Sequence, residues 1–420
     1  MARLLVLNTL IVIKVKKLLL NIILLLVCFE VAARSLADSA RVWRLIDDVQ
    51  KKYAADKRTT YYKVNIESFE PLSLKVESSD PKAIEGLKLH LEKQSIKAKI
   101  RESLLPAEEL DGKTWGIATL SVCNNRVAPD NAAEMATQLL LGTPVQVLKK
   151  ERGYYLVRTP DNYLSWTDDA GIATFTPQEF KKWQLAEKIV VLTSYGHALS
   201  RPAKHSSPVS DVVAGNILNI SGKEKKFYKV LFPDGRKGYI PLKDAMAYKS
   251  WVSRANPQAE QVLETARSLM GVPYLWGGTS SKGVDCSGFT KTSYFLNGII
   301  LPRDASQQVL YGQQVDIFEN DSVSITKALR TLKAGDLLFF AAGKNRVPNA
   351  RVTHTAIYIG DGKFIQSASM VRVNSLVASS SDYDSFQSRT LVNAKRMLTA
   401  IGSPGISRIE DHPFYSPNKH

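Results

Sequence analysis

Cysteine is scarce in this chain: 420 residues carry three, Cys28, Cys123 and Cys286. So few exclude a disulfide scaffold, and a Cys123–Cys286 bridge would require two distant sites to meet. Histidine is nearly as sparse: six residues, with no HxH or HxxxH pair, give no metal site by spacing, so no metal and no cofactor is expected. Zinc-finger spacings, RNP-like aromatic motifs and dense Arg/Lys runs with interleaved aromatics are all missing. The formal charge of +16 is therefore not read as a nucleic-acid footprint. Spread along the chain, it describes a basic solvated surface, of a kind that attracts polyanions such as an anionic cell envelope. An apolar run of about 20 residues, enough for a full membrane span, does not follow Lys17.

What is present begins at the N-terminus. "KVKKLLLNIILLLVCFEVAARSLADSA" sets a basic stretch before about a dozen mostly apolar residues and then small ones. That is the layout of a secretory signal peptide, with cleavage after Ala33 or Ala37. The upstream run "LLVLNTLIVI" leaves retention of residues 1–37 as a membrane anchor as the alternative. Val27 before Cys28 argues against lipidation, which favours a small residue there. Residues 1–37 hold Arg3, Lys14, Lys16, Lys17 and Arg34 against Glu30, a net +4, so +12 belongs to the rest. The protein is expected to be exported, to the periplasm or cell envelope.

With 44% hydrophobic and 23% charged residues, the remainder is ordinary globular protein, long enough for several domains. Residues 38–110 read as a helical region: Val42, Leu45, Ile46 and Val49 recur at helical spacing, and Asp80-Pro81 suits a helix start. From 111 to 178 the texture becomes short β-rich runs between Gly, Pro, Asp and Asn turns. Residues 179–250 repeat it: "GTPVQVL…GYYLVRTPDNYLSW" parallels "AGNILNI…KFYKVLFPDGRKGYI". Two small β-barrels in tandem, resembling bacterial SH3 domains, fit that pattern. Residues 256–400 mix helices ("PQAEQVLETARSLMG", "DCSGFTKTSYFLNG") with strands ("AGDLLFFA", "THTAIYIG", "KFIQSAS"), and 401–420 form a tail.

The chemistry centres on "GVDCSGFT". A cysteine at a helix start meets the positive end of the dipole and unpaired backbone N–H groups, which favour thiolate and can hold an oxyanion. His354, opening a strand, is the candidate base. Gln366 is the candidate third group. If the hairpin loop is Gly360–Gly362, Gln366 stands opposite Ala356, one diagonal step from His354 on the same face; a two-residue loop would reverse that face and remove this role.

Together "GVPYLWGGTSSKGVDCSGFT", "LPRDASQQ", "LKAGDLLFF" and "THTAIYIGDGKFIQSAS" resemble the NlpC/P60 family of cysteine peptidases. The resemblance implies an α+β fold: a papain-like core at the C-terminus, behind two SH3-like barrels and a short helical N-terminal region. It implies Cys286 as nucleophile, His354 as base and Gln366 as third residue, where many members have His. The full layout is similar to γ-D-glutamyl-L-diamino-acid endopeptidases, thiol proteases that hydrolyse murein peptides through a thioester and prefer a free N-terminal L-Ala. Matching substrate-side positions are Glu134, Tyr163, Tyr274, Trp276, Asp285, Ser287 and Asp304. Asp285 and Glu134 would meet the free amine, Tyr274 would add a hydroxyl, and Trp276 and Tyr163 would wall the pocket. Ala305 stands where the subgroup often has Ser. The expected partner is a murein peptide, taken in recycling of wall fragments by a monomeric enzyme. A wall-binding module without catalysis is the alternative; an acyltransferase is disfavoured because Cys286 precedes His354.

Overall fold

A computed structural model describes residues 39–343, 347 and 350–416, with Lys14, Lys16, Lys17, Leu19 and Ile22. Readings of the signal or anchor segment, apart from those five residues, lie outside the described residues. The chain divides into two units, Met1–Leu105 and Pro106–His420.

In the first unit a helix over 39–53 (α1) and α2 (Pro81–Lys93) accompany a three-stranded sheet of β1 (Tyr62–Phe69), β2 (Leu72–Ser78) and β3 (Lys99–Leu104). Asp80 caps α2 by accepting from Lys82 N at 2.9 Å, and Pro81 opens it. Val42, Leu45, Ile46 and Val49 are buried with Leu74, Val76, Ile84 and Leu87. The reading of 38–110 as a helical region is thus corrected: both expected helices are present, but β1 and β2 pair antiparallel, and β3 joins β2 in parallel. Their signal is the period-two alternation of Tyr62, Val64 and Ile66 and of Leu72, Leu74 and Val76, which the stronger helical periodicities flanking it obscured.

The second unit opens with two barrels of the same topology. The first comprises β4 (Trp115–Ala118), β5 (Val122–Arg126), β6 (Met135–Leu140), β7 (Pro144–Glu151), β8 (Tyr154–Arg158), β9 (Leu164–Asp168) and β10 (Ile172–Phe175), ordered β10-β4-β7-β8-β9-β5-β6. Helix α3 (Pro177–Leu185) follows, with a Thr176/Glu179 capping box and Phe180 stacked on Trp115 at 4.2 Å. The second barrel comprises β11 (Lys188–Val191), β12 (Gly196–Leu199), β13 (Pro208–Val212), β14 (Ile217–Glu224), β15 (Phe227–Leu231), β16 (Lys237–Pro241) and β17 (Ala245–Ala247). Its order, read from the other edge, is β17-β11-β14-β15-β16-β12-β13, strand for strand that of the first. The repeated sequence stretches are the β7-β8-β9 and β14-β15-β16 meanders.

The barrels meet at Gly142. Ile217 N donates to Leu141 O at 2.8 Å, and Leu141 is buried in the second barrel's core. Gly142 has φ +80°, and a Cβ there would lie 1.8 Å from Ile217 O.

Helix α4 (Tyr248–Val252) leads to the last domain, where α5 (Ala259–Ser268) and α6 (Cys286–Phe295) share one core with the face of a six-stranded sheet. Helices α7 (Ala305–Gln308), α8 (Ile325–Thr331) and α9 (Ser385–Thr390) are short. The sheet contains β18 (Gln313–Gln314), β19 (Leu337–Phe340), β20 (His354–Gly360), β21 (Lys363–Ala368), β22 (Met370–Ser375) and β23 (Leu391–Arg396), ordered β18-β23-β19-β20-β21-β22. Phe289, Tyr294, Leu337, Phe339, Ile357 and Ile365 fill the α6 side; Leu338, Phe340, Ala356 and Phe364 fill the other.

Gly142→Ala is expected to destabilise the protein by about 2 kcal/mol or more, combining a left-handed φ with a clash against backbone. An unchanged urea midpoint would show that the junction yields.

Candidate active site

Cys286 is the first residue of α6, and its neighbour Asp285 is the N-cap: Oδ1 accepts from Gly288 N at 2.7 Å. The turn tolerates no Cβ at position 288, since one would sit 1.9 Å from Gly278 O. The Asp285 carboxylate also accepts from Gly277 N at 3.0 Å and from Ser287 Oγ at 3.2 Å. Arg303 completes its shell. This guanidinium, 1% exposed, donates through Nη2 to Asp285 Oδ2 at 2.6 Å and through Nη1 to Asp285 Oδ1 at 3.2 Å. Arg303 further reaches Ser287 Oγ at 3.0 Å and, through Nε, Thr137 Oγ1 on β6 at 2.9 Å. Burial disfavours its charge, but the ion pair and hydrogen bonds with Asp285 more than offset this and hold it protonated.

The thiol therefore differs from the expectation that a helix start favours thiolate. Burial pushes the Cys286 thiol up to about 12, the charge of Asp285 adds to this, and the N–H groups of Thr355 and Ser287 oppose it without prevailing. The Ser287 N–H at the helix start acts in the expected direction; desolvation and the adjacent carboxylate are larger.

His354 opens β20, with Thr355, the next residue, at the thiol. Its Nε2 lies 2.6 Å from Gln366 Oε1. An amide oxygen only accepts, so Nε2 carries the proton and Nδ1 keeps the lone pair. Burial lowers the His354 pKa, while the Gln366 bond and the charges of Asp384 and Asp285 raise it. The register arises in an instructive way. Gly360 pairs with Lys363, so the turn is the two-residue Asp361-Gly362 that alone would reverse Gln366. A bulge between Tyr358 and Gly360 restores the residue count, and Ile357 stands opposite Ile365, which sets Gln366 across from Ala356.

The remaining candidates fall into two linked groups. Glu134, from the loop before β6, accepts from Trp276 Nε1 at 2.7 Å, and Trp276 is 61% exposed. Tyr163, buried in the first barrel, donates to Asp304 Oδ2 at 3.3 Å; Asp304 caps α7 and lies 3.8 Å from Arg303 Nη1. Tyr274 is close enough to the thiol that, after burial, Cys286 and then Asp285 are the charges that raise its pKa. Sequence reasoning missed Arg303, although it stands inside the quoted "LPRDASQQ" between a proline and a named aspartate. Also missed were Asn374 and Asp384, which bind Gln366 Nε2 at 2.8 and 3.2 Å; nothing in their local sequence marks them. Cys123 is a free, buried thiol donating to Gly171 O at 3.3 Å, remote in role from this site. Among the described residues no cluster of His, Cys, Asp and Glu could hold a metal.

Known proteins place this architecture. The NlpC/P60 family profile matches residues 271–394, and that of the bacterial dipeptidyl-peptidase Sh3 domain matches 125–172. The γ-D-glutamyl-L-lysine dipeptidyl-peptidase of Bacillus cereus is 33% identical over 56% of this chain and 68% of its own length. The Bacillus subtilis protein of the same name is 30% identical over 59% and 75%. A crystal structure of an NlpC/P60 family protein from Bacillus cereus superposes with a TM-score of 0.56 at 25% identity, covering 67% of this chain and 99% of that one. The chain belongs to the NlpC/P60 family of peptidases, with a bacterial SH3 domain ahead of the peptidase domain.

A thiol raised to about 12 gives a thiolate fraction that grows about tenfold per pH unit through neutrality. Iodoacetamide labelling of Cys286 in the free protein should therefore climb steadily from pH 6 to 10. A rate flat across pH 6 to 9 would mean a preformed thiolate.

Proposed function

We propose that this protein is an exported cysteine endopeptidase that cleaves the γ-D-Glu–diamino acid bond of murein peptides with a free N-terminal L-Ala. The observation that carries the reading is the contact of the first barrel with the thiol end of the peptidase domain: Glu134 on Trp276, and Tyr163 on Asp304. A barrel bonded to this end of the peptidase domain suits a short peptide terminus better than a long chain. A buried ammonium needs acceptors and a counter-charge. Asp285 is already committed to Arg303 and three N–H or O–H donors, so its role is to hold the cleft wall. Glu134, which accepts from the Trp276 indole, is the carboxylate assigned to the amine; Tyr163 and Asp304 are assigned to the same end of the site, and Tyr274 and Ser287 to the acyl group. The Bacillus relatives, named for γ-D-glutamyl-L-lysine dipeptidyl-peptidase activity, support the same bond class.

In this mechanism His354 Nδ1 takes the thiol proton as Cys286 Sγ attacks the γ-carbonyl. Because the free thiol resists ionisation, proton transfer accompanies attack rather than preceding it. The backbone N–H groups at the start of α6 face the developing oxyanion. The imidazolium, steadied by Gln366, then protonates the leaving amine. The thioester that remains is hydrolysed by a water that His354 deprotonates, which restores the thiol. The substrate class and the relatives support action in the cell envelope on released fragments, because an acylated L-Ala presents no ammonium to Glu134.

The test is a paired digestion of L-Ala-γ-D-Glu-diaminopimelate peptide and its N-acetylated form. Cleavage of the free-amine peptide alone is expected, with Cys286→Ala reducing it by on the order of 10⁴-fold or more. Glu134→Ala should raise KM for the free amine while leaving kcat nearly unchanged. Equal cleavage of both peptides would remove the amine pocket from the mechanism; cleavage of neither would favour a wall-binding role.

A further inference from the structure

The third residue of the proposed catalytic set is an amide, and an amide is ambiguous. Gln366 offers His354 an acceptor in one orientation and a donor in the other. If the donor faced the ring, His354 Nε2 would have to be the lone-pair nitrogen. The proton would then sit on Nδ1, and the base would be disabled. Something must fix the polarity of this side chain, which is fully buried.

Two acceptors on the far side of the amide do so. Gln366 Nε2 donates to Asn374 Oδ1 at 2.8 Å and to Asp384 Oδ2 at 3.2 Å. Asn374 is itself an amide, whose Nδ2 reaches Asp382 O at 3.4 Å, so it could turn together with Gln366. Asp384 cannot: an ionised carboxylate accepts only. Its second oxygen is held by Gln387 N at 3.0 Å, as the N-cap of α9. We infer that Asp384 is a positioning residue that sets the direction of the hydrogen-bond chain Asp384–Gln366–His354, and so fixes the Nε2–H tautomer that leaves Nδ1 free to act as base. It also lends the imidazolium a negative charge that a glutamine lacks.

The other charged groups around the ring are few. Asp285, on the α6 side, is paired with Arg303. Arg372 on β22 stands cross-strand from Gln366, and Lys363 pairs with Asp382. Arg389 of α9 lies over Phe386. None of these is an acceptor for Gln366 Nε2.

The inference rests on the proposed peptidase reading, and its test has a readout that does not need turnover. In Asp384→Asn the charge is lost, but asparagine still caps a helix, so the melting temperature serves as a folding control. Histidine ¹⁵N spectra of the wild type should show His354 as the Nε2–H tautomer, and Asp384→Asn should show a mixture or Nδ1–H. With substrate, kcat should fall roughly ten- to a hundredfold at nearly constant KM. The acid limb of the pH profile should move to lower pH, because the imidazolium loses a stabilising charge. The double variant Asn374→Asp/Asp384→Asn returns an acceptor-only group to Gln366 Nε2 and should recover both tautomer and rate, which a purely structural role for Asp384 would not allow. A single tautomer and an unmoved pH profile in Asp384→Asn would overturn the inference. A protein inactive on every peptide but with the expected tautomer shift would instead overturn the peptidase reading and leave this one standing.

Discussion

A buried arginine is the constraint on which the thiol end of this molecule depends. Bringing Arg303 and Asp285 out of water costs several kcal/mol per ion, and only near-complete hydrogen bonding makes such a pair tolerable. Here the bonding is dense: Asp285 receives two backbone N–H groups, a hydroxyl and two guanidinium bonds. Arg303 also reaches Thr137 of the first barrel. One ion pair thus ties together the start of α6, the glycine-rich turn before it, the start of α7 and a neighbouring domain. Its negative member adds to the effect of burial in raising the adjacent thiol, and its positive member opposes this. The carboxylate that builds the cysteine's seat and the burial that comes with it thus act on the thiol in the same direction.

The same economy explains why the first barrel differs in consequence from the second, although their strand orders coincide. Both barrels touch the peptidase domain. Only the first contributes Glu134, Thr137 and Tyr163, which bond to Trp276, Arg303 and Asp304. The second contacts the turn ahead of α6 through Ser194 and Asp211. Identical topology, placed differently, gives one domain bonded to Arg303, Asp304 and Trp276 and one bonded to the turn that leads into α6.

Much of this was legible in the sequence, for reasons that can be traced. Cys286, His354 and Gln366 lie in short contiguous motifs, and strand alternation across a tight hairpin is enough to bring the last two together. The hairpin also shows the limit. The expected pairing of Gln366 with Ala356 is present, but a two-residue turn and a bulge produce it in place of the longer loop, and the bulge has no residue signature beyond Gly360. The barrels announced themselves by repetition, whereas the sheet of the first unit was hidden by stronger helical periods on either side. The burial that raises the Cys286 thiol has no mark in the sequence, whereas the helix start that opposes it does. Arg303, Asn374 and Asp384 act at separations of 18, 8 and 18 residues from the groups they bind, and only the assembled fold makes them neighbours.

The turn that leads into the nucleophile carries one more implication. Thr279 and Ser280 are bound by Gln138 of the first barrel, at 3.0 and 3.1 Å, while Ser281 and Lys282 reach Ser194 and Asp211 of the second, at 2.6 and 2.5 Å. Four successive residues are thus fastened from two sides, three positions short of Asp285. The backbone freedom of this segment is removed when the chain folds, so binding a peptide has little left to order there. The nucleophile's approach is thus a fixed part of the frame, set jointly by both barrels, and a change in either barrel's hold on it would be felt at the start of α6.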